Sequence, residues 1–178
     1  QAALQRIVGD HVHQAGSLVT PERLRFDFTN FEPLTQQQVQ DIEDLVNEEI
    51  LSSIDLDIST MPIAVAKERG AMALFGEKYG DIVRVVEVPN FSIELCGGSH
   101  VSNTGQIGLF KIIGESGVAA GVRRIEAITG RAAYQYVSET DALIRTLSQR
   151  LKVKAGDLPT QVDKLIDEKK NMQEQLRA

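Results

Sequence analysis

Four short runs of strand-forming residues, Ile82 to Val88, Phe91 to Leu95, Ile107 to Ile113 and Val122 to Ile128, follow one another with Gly, Pro and Asn signals between them. None is followed by a crossover helix, which neighbouring parallel strands need, so the pattern predicts a mostly antiparallel sheet. With helical patterning on either side, the fold class is α+β, a sheet packed with helices. Further upstream, Val12 to Val19 and Leu24 to Phe28 read as a hairpin turning at Thr20-Pro21-Glu22-Arg23, where Pro favours the turn. Leu24, Phe26 and Phe28 alternate with Arg25 and Asp27, which puts three large apolar side chains on one face, the expected core.

The helical segments carry their own punctuation. Gln1 to Gly9 reads as the end of a helix closed by Gly, with its beginning expected upstream. Thr35 and Gln38 have the form of a capping box, and Val39, Ile42, Val46 and Ile50 recur at helical spacing, predicting a helix from Thr35 to Ser52. Pro62 suits the first turn of a short second helix that Gly70 ends. From Gly130 to Leu151 the pattern is helical again, with Ala133, Val137, Ile144, Leu147 and Leu151 on one side, before Gly156 and Pro159 interrupt it. Leu158, Val162, Leu165, Lys169, Met172 and Leu176 then alternate four- and three-residue steps. That is the seam of a coiled coil or the face of a packed amphipathic helix, a C-terminal helical segment in either case. The expected division is residues 1–130 as one domain and 131–178 as a helical connector.

With 178 residues and 42% hydrophobic content the chain can bury a sizeable core. No run reaches the ~18 apolar residues of a membrane span and no secretory leader pattern is present, so the expectation is a soluble cytoplasmic protein without a membrane partner. The single cysteine excludes an internal disulfide. The net charge of −6 weighs against nucleic acid, but residues 26–66 hold nine acids and no Lys or Arg. The rest carries sixteen acids against nineteen bases, so a positive face toward RNA is compatible with the composition.

Cys96-Gly97-Gly98-Ser99-His100 sets a thiol and an imidazole four positions apart. Both are zinc ligands, and the glycines between them would let the backbone fold tightly around an ion, yet zinc needs at least one further donor. The alternative is a buried unliganded Cys beside a surface His. His11 and His13 share one side of a strand, and solvated or hydrogen-bonded side chains are favoured over ligands there. Gly114 to Gly121 looks like a phosphate-cradling loop but lacks the Gly-Lys-Ser/Thr ending, so ATP binding is not expected there, and the readings are a flexible loop near RNA or a plain connector. Arg123 and Arg124, as strand neighbours, point to opposite faces, so at most one should meet RNA while the other pairs internally, for instance with Glu126.

Leu95-Cys96-Gly97-Gly98-Ser99-His100, preceded by Gly70-Ala71-Met72-Ala73-Leu74-Phe75-Gly76-Glu77-Lys78-Tyr79 and followed by Ala120-Gly121-Val122-Arg123-Arg124-Ile125-Glu126-Ala127, resembles the editing domain of alanyl-tRNA synthetase. His11 to Val19 and Leu24 to Phe28 resemble the opening hairpin of the same family, and the tail resembles its connector to the C-terminal domain. The resemblance implies hydrolysis of the ester joining serine or glycine to tRNA(Ala), at a zinc site made of a His-x3-His pair and a Cys-x3-His pair. Only the second pair, Cys96 and His100, is present here; the other is expected just before Gln1, so zinc should be absent or weakly bound in this chain as it stands. Ser99 stands where Thr is commoner and keeps the hydroxyl. Gln14 matches a position near the family's pocket, where its amide would meet substrate or water; from the residues alone it is an ordinary strand glutamine. The expected partner is the tRNA(Ala) acceptor end, met by Arg123 or Arg124, with self-association through the tail. A free-standing editing protein and a non-catalytic RNA-binding or dimerising module are the alternatives.

Overall fold

The computed structural model describes residues 1–73 and 78–177. Helix α1 (Ala2–Val8) leads into strands β1 (Gln14–Val19) and β2 (Leu24–Thr29), then helix α2 (Gln36–Leu51). Strand β3 (Asp57–Pro62), helix α3 (Ile63–Glu68) and the hairpin β4 (Ile82–Val88) and β5 (Ser92–Leu95) follow. A 3₁₀ turn at Thr104–Ile107 precedes β6 (Phe110–Ala119) and β7 (Val122–Thr129), and α4 (Gly130–Leu151) and α5 (Leu158–Arg177) close the order. The chain separates into two compact units, Gln1–Tyr134 and a helical unit from Gln135 onward.

The first unit is α+β with two antiparallel sheets where one was expected, ordered β1-β2-β7-β6 and β3-β4-β5. The larger buries Phe28, Ile112, Ile125 and Ala127 against Ala3 and Leu4 of α1 and Ile42 of α2. The smaller buries Val83, Val85 and Leu95 against Ala66 of α3. The capping box on α2 is present: Gln38 N–H donates to Thr35 Oγ1 at 3.1 Å, and Thr35 N–H donates to Gln38 Oε1 at 3.0 Å. One turn further on, Glu43 is almost fully buried because it accepts from the Ile112 N–H at 2.6 Å and from Lys111 Nζ at 2.8 Å. Asn47, on the same helix face, exchanges two hydrogen bonds with the backbone of Phe110. These polar clamps fix the first residues of β6 against α2, satisfying groups that burial would otherwise leave unpaired.

Several boundaries differ from the sequence expectation. Asp57–Pro62 is a strand paired residue for residue with β4, and Pro62 caps α3 with extended backbone instead of sitting inside its first turn. The expected strand start at Ile107 is a 3₁₀ turn whose cap is the Asn103 side chain accepting from the Gly105 N–H at 2.8 Å. Gly114 to Gly121 is not a loop: β6 runs to Ala119 and turns at Gly121, with φ +71°. Register shifts at Ile112/Gly114 and Gly117/Ala119 let the glycine-rich strand bend without leaving the sheet. Pro159 lies in the first turn of α5, where its missing N–H has no partner to lose, so it opens the helix rather than breaking one. In the helical unit Val162, Leu165, Met172 and Leu176 fall in one helix and are 44%, 41%, 57% and 88% exposed.

Candidate functional site

Alternation along the β4–β5 hairpin decides which residues face the site. Val83, Val85 and Leu95 point into the small core, so Arg84, Val86, Glu94 and Cys96 lie on the opposite face. Pairing continues one residue past β5, with the Cys96 N–H donating to the Arg84 carbonyl at 3.2 Å. The Arg84 guanidinium then reaches over the chain beyond: Nη1 donates to the Cys96 carbonyl at 3.1 Å and to the Gly98 carbonyl at 2.5 Å. The segment carrying both candidate ligands is therefore held by an arginine that the sequence reading passed over.

The glycines in that segment do not serve a left-handed backbone, since neither Gly97 nor Gly98 has positive φ. A Cβ at Gly97 would meet nothing within 4 Å, and one at Gly98 would rest 3.6 Å from the Cys96 Sγ. Their use is to leave the outer side of the loop bare. Cys96 is half-buried beneath it. His100 is exposed on one side and on the other lines a cavity of about 180 Å³ with Glu94, Val86, Val101 and Ile107. Burial, followed by the Arg84 charge, holds its pKa below 6.5, with Glu94 pulling the other way. The imidazole is thus neutral at neutral pH, the form that binds a metal or accepts a proton.

Gln14 lies at the start of β1, its Nε2 donating to Ser17 Oγ at 3.1 Å. It lines a separate cavity of about 540 Å³ with Gln1, His13, Ala15, Thr29 and Ala73. Thr29, unsuspected from sequence, joins the cavity wall to the backbone: its hydroxyl accepts from the His13 N–H at 2.9 Å and donates to the His11 carbonyl at 2.7 Å. The Gly70–Tyr79 motif enters at Ala73; its residues 74–77 lie outside the described residues. Among the described residues neither Cys96 nor His100 lines this cavity. Gln1 lines this cavity beside Gln14.

As a zinc site the described residues are half a set. Cys96 and His100 offer a soft sulfur and a neutral nitrogen, but no three of His, Cys, Asp and Glu stand together among the described residues. His11 is engaged elsewhere, its Nε2 2.7 Å from Asn30 Oδ1. Both arginines expected near RNA are held by carboxylates. Arg123 makes two hydrogen bonds to Glu115, at 2.6 and 2.7 Å, and Arg124 two to Asp27, at 2.7 and 2.9 Å. Glu126, the partner suggested for one of them, pairs with Arg23 instead at 2.9 Å. Each carboxylate raises its arginine's pKa through the hydrogen bond first, so both remain charged, but neither is a free cation.

Residues 83–126, from β4 through most of β7, match the family described as the threonyl and alanyl tRNA synthetase second additional domain. The chain is 57% identical over 176 residues to an alanine–tRNA ligase of Staphylococcus aureus (strain Newman) and 55% identical over 174 residues to that of Clostridioides difficile (strain 630). Each match covers 98% of this chain and 20% of the relative, so the chain spans about a fifth of the length of the curated relatives it matches.

Proposed function

We propose, from the premise that this chain belongs with the alanine–tRNA ligase sequences it matches across nearly its whole length, that it is the part of such a ligase that removes a wrongly attached amino acid from tRNA(Ala). The observation that carries the reading is the arginine-held 96–100 loop, with an imidazole at one end, a thiol at the other and a bare glycine surface between. Selectivity explains the need. A pocket sized for alanine gains only about 1–3 kcal/mol against a ligand differing by one methylene, and it cannot exclude glycine by size, so a second, hydrolytic site is required.

The reaction is hydrolysis of the ester that links serine or glycine to the terminal ribose. Water oxygen bonds to the acyl carbon, the bond from that carbon to the ribose oxygen breaks, and a proton passes to the leaving oxygen. Cys96 and His100 are the residues assigned to the reacting centre, and Gln14 to binding substrate or water from the neighbouring cavity. Zinc is proposed as the cofactor of the complete site, with its remaining donors supplied from outside the described residues. In the 178-residue chain alone it should bind weakly, because affinity depends on a full and fixed ligand set. The test is release of serine from mischarged tRNA(Ala) by a ligase carrying this region. Cys96→Ala and His100→Ala should each reduce it by on the order of a hundredfold or more; wild-type rates in both variants would sink the assignment.

A second reading, association of copies through the helical unit, is favoured by the exposed stripe from Val162 to Leu176. It is compatible with the first, since it uses different residues.

A further inference from the structure

Resting on the editing reading, we propose that Arg84 is a positioning residue that turns the backbone N–H groups of Gly97 and Ser99 outward as a pair of oxyanion donors for ester hydrolysis. The argument starts with the peptide plane. In a trans peptide the carbonyl of one residue and the N–H of the next point in opposite directions. Arg84 draws the Cys96 and Gly98 carbonyls toward its guanidinium. The N–H groups of the same two peptide units, those of Gly97 and Ser99, are therefore directed away from it.

Neither N–H has an acceptor among the described residues, although a backbone donor without a partner is uncommon unless solvent or a ligand takes it. The bare side of the loop gives a ligand room to approach, since a side chain at Gly97 would project into open space. Among the described residues no carboxylate lies within salt-bridge distance of Arg84, whereas Glu87, three residues further along β4, pairs with Arg69 at the end of α3 at 2.6 Å. Its Nη1 donates to both carbonyls, and its positive charge stands beside the loop, where charge developing on an acyl oxygen would be favoured.

The chemical class recognised is an acyl oxyanion: the tetrahedral intermediate of the aminoacyl ester and, more weakly, the carboxylate of the released amino acid. Donors fixed before the reaction act on charge that exists only in the transition state, so their loss lowers kcat and spares KM. Arg84 acts through the loop and touches no substrate in this scheme.

Two measurements test the proposal. In the ligase, Arg84→Met should lower kcat for release of serine from mischarged tRNA(Ala) by about 10- to 100-fold with KM within about twofold, and Arg84→Lys, which keeps one charged donor group, should recover part of the loss. In the 178-residue chain, where Cys96 is the single cysteine, Arg84→Met should raise the rate of Cys96 alkylation by iodoacetamide several-fold, because the thiol then loses its packing under Gly98. A kcat within twofold of wild type in Arg84→Met overturns the proposal, as does an unchanged alkylation rate, or a rise in KM that accounts for the whole loss. Cys96→Ala and His100→Ala serve as the separate control: full hydrolysis in those variants removes the editing reading, whereas loss in them with none in Arg84→Met removes only the role given to Arg84.

Discussion

The two sheets of the first unit use arginine in opposite ways. On the larger sheet Arg23, Arg123 and Arg124 each meet a carboxylate, and Asp27, with Arg124 on it and Arg25 3.9 Å away, is nearly buried. On the smaller sheet Arg84, among the described residues, donates to two backbone carbonyls on one short loop. An arginine paired with a carboxylate locks two strands and has its charge balanced; one bound to carbonyls shapes the backbone it holds and leaves its charge unbalanced by that contact. The first arrangement is scaffold and the second is suited to a site, although the family-like motifs include Arg123 and Arg124 and leave Arg84 out.

The comparison breaks first at Asp27. Replacing it by Asn should cost about 1–3 kcal/mol, because Arg124 is left without its anion on a partly covered face, while hydrolysis per folded molecule changes less than twofold. A large fall in hydrolysis with unchanged stability, measured by denaturant unfolding beside the deacylation assay, would turn this scaffold pair into a functional one. The pH dependence has a definite sign. The Arg124 hydrogen bond, then its charge and that of Arg25, hold the Asp27 pKa below its usual 3.8 against a smaller effect of burial. Its contribution is therefore complete above that value and lost as pH falls through the lowered folded pKa, so wild type and Asp27→Asn should differ by a constant amount at pH 5–7 and converge in strong acid.

A smaller effect is expected from Arg123→Met, about 1–2 kcal/mol, since it leaves Glu115, largely covered in the middle of β6, with its bidentate partner gone. Binding of uncharged tRNA(Ala) should stay within about threefold; a tenfold loss would show that Arg123 contacts RNA as well as Glu115. In the helical unit, Leu165→Asp should leave unfolding of the first unit unchanged and reduce self-association where sedimentation detects any. The smallest expected effect is that of a chelator on the 178-residue chain. Its unfolding temperature should move by no more than about 1–2 °C, because the cores around Phe28 and Val85 are assembled from apolar contacts without a metal. A large shift would show that the described residues hold zinc more firmly than two donors permit.

Much of this was legible in the residues because it depends on local rules. The capping box at Thr35 and Gln38, the four-residue turn after Val19, the helix from Gly130 to Leu151 and the strand from Ile82 to Val88 all follow from spacing and backbone preference. Cys96 and His100 were visible as a pair, and the resemblance gave them a chemistry. Missed were β3, whose run Asp57–Pro62 has mixed polarity and ends in proline, and the extension of β6 through its glycines, which read locally as a loop. Arg84 was hidden in an apolar strand as one charged residue among valines; only its register against Cys96 gives it a role.

By itself the sequence determined the alternation of strands and helices, the α+β class and the loop on which a thiol and an imidazole sit, since each is set by residues within a few positions of one another. The tertiary structure decided what depends on distant pairing: the split into two sheets, the carboxylates that occupy Arg123 and Arg124, and the guanidinium that holds residues 96–98. A hydrogen bond reaches about 3 Å, and which residues twelve or ninety-seven positions apart come within that distance is fixed by strand register, which local sequence constrains only weakly.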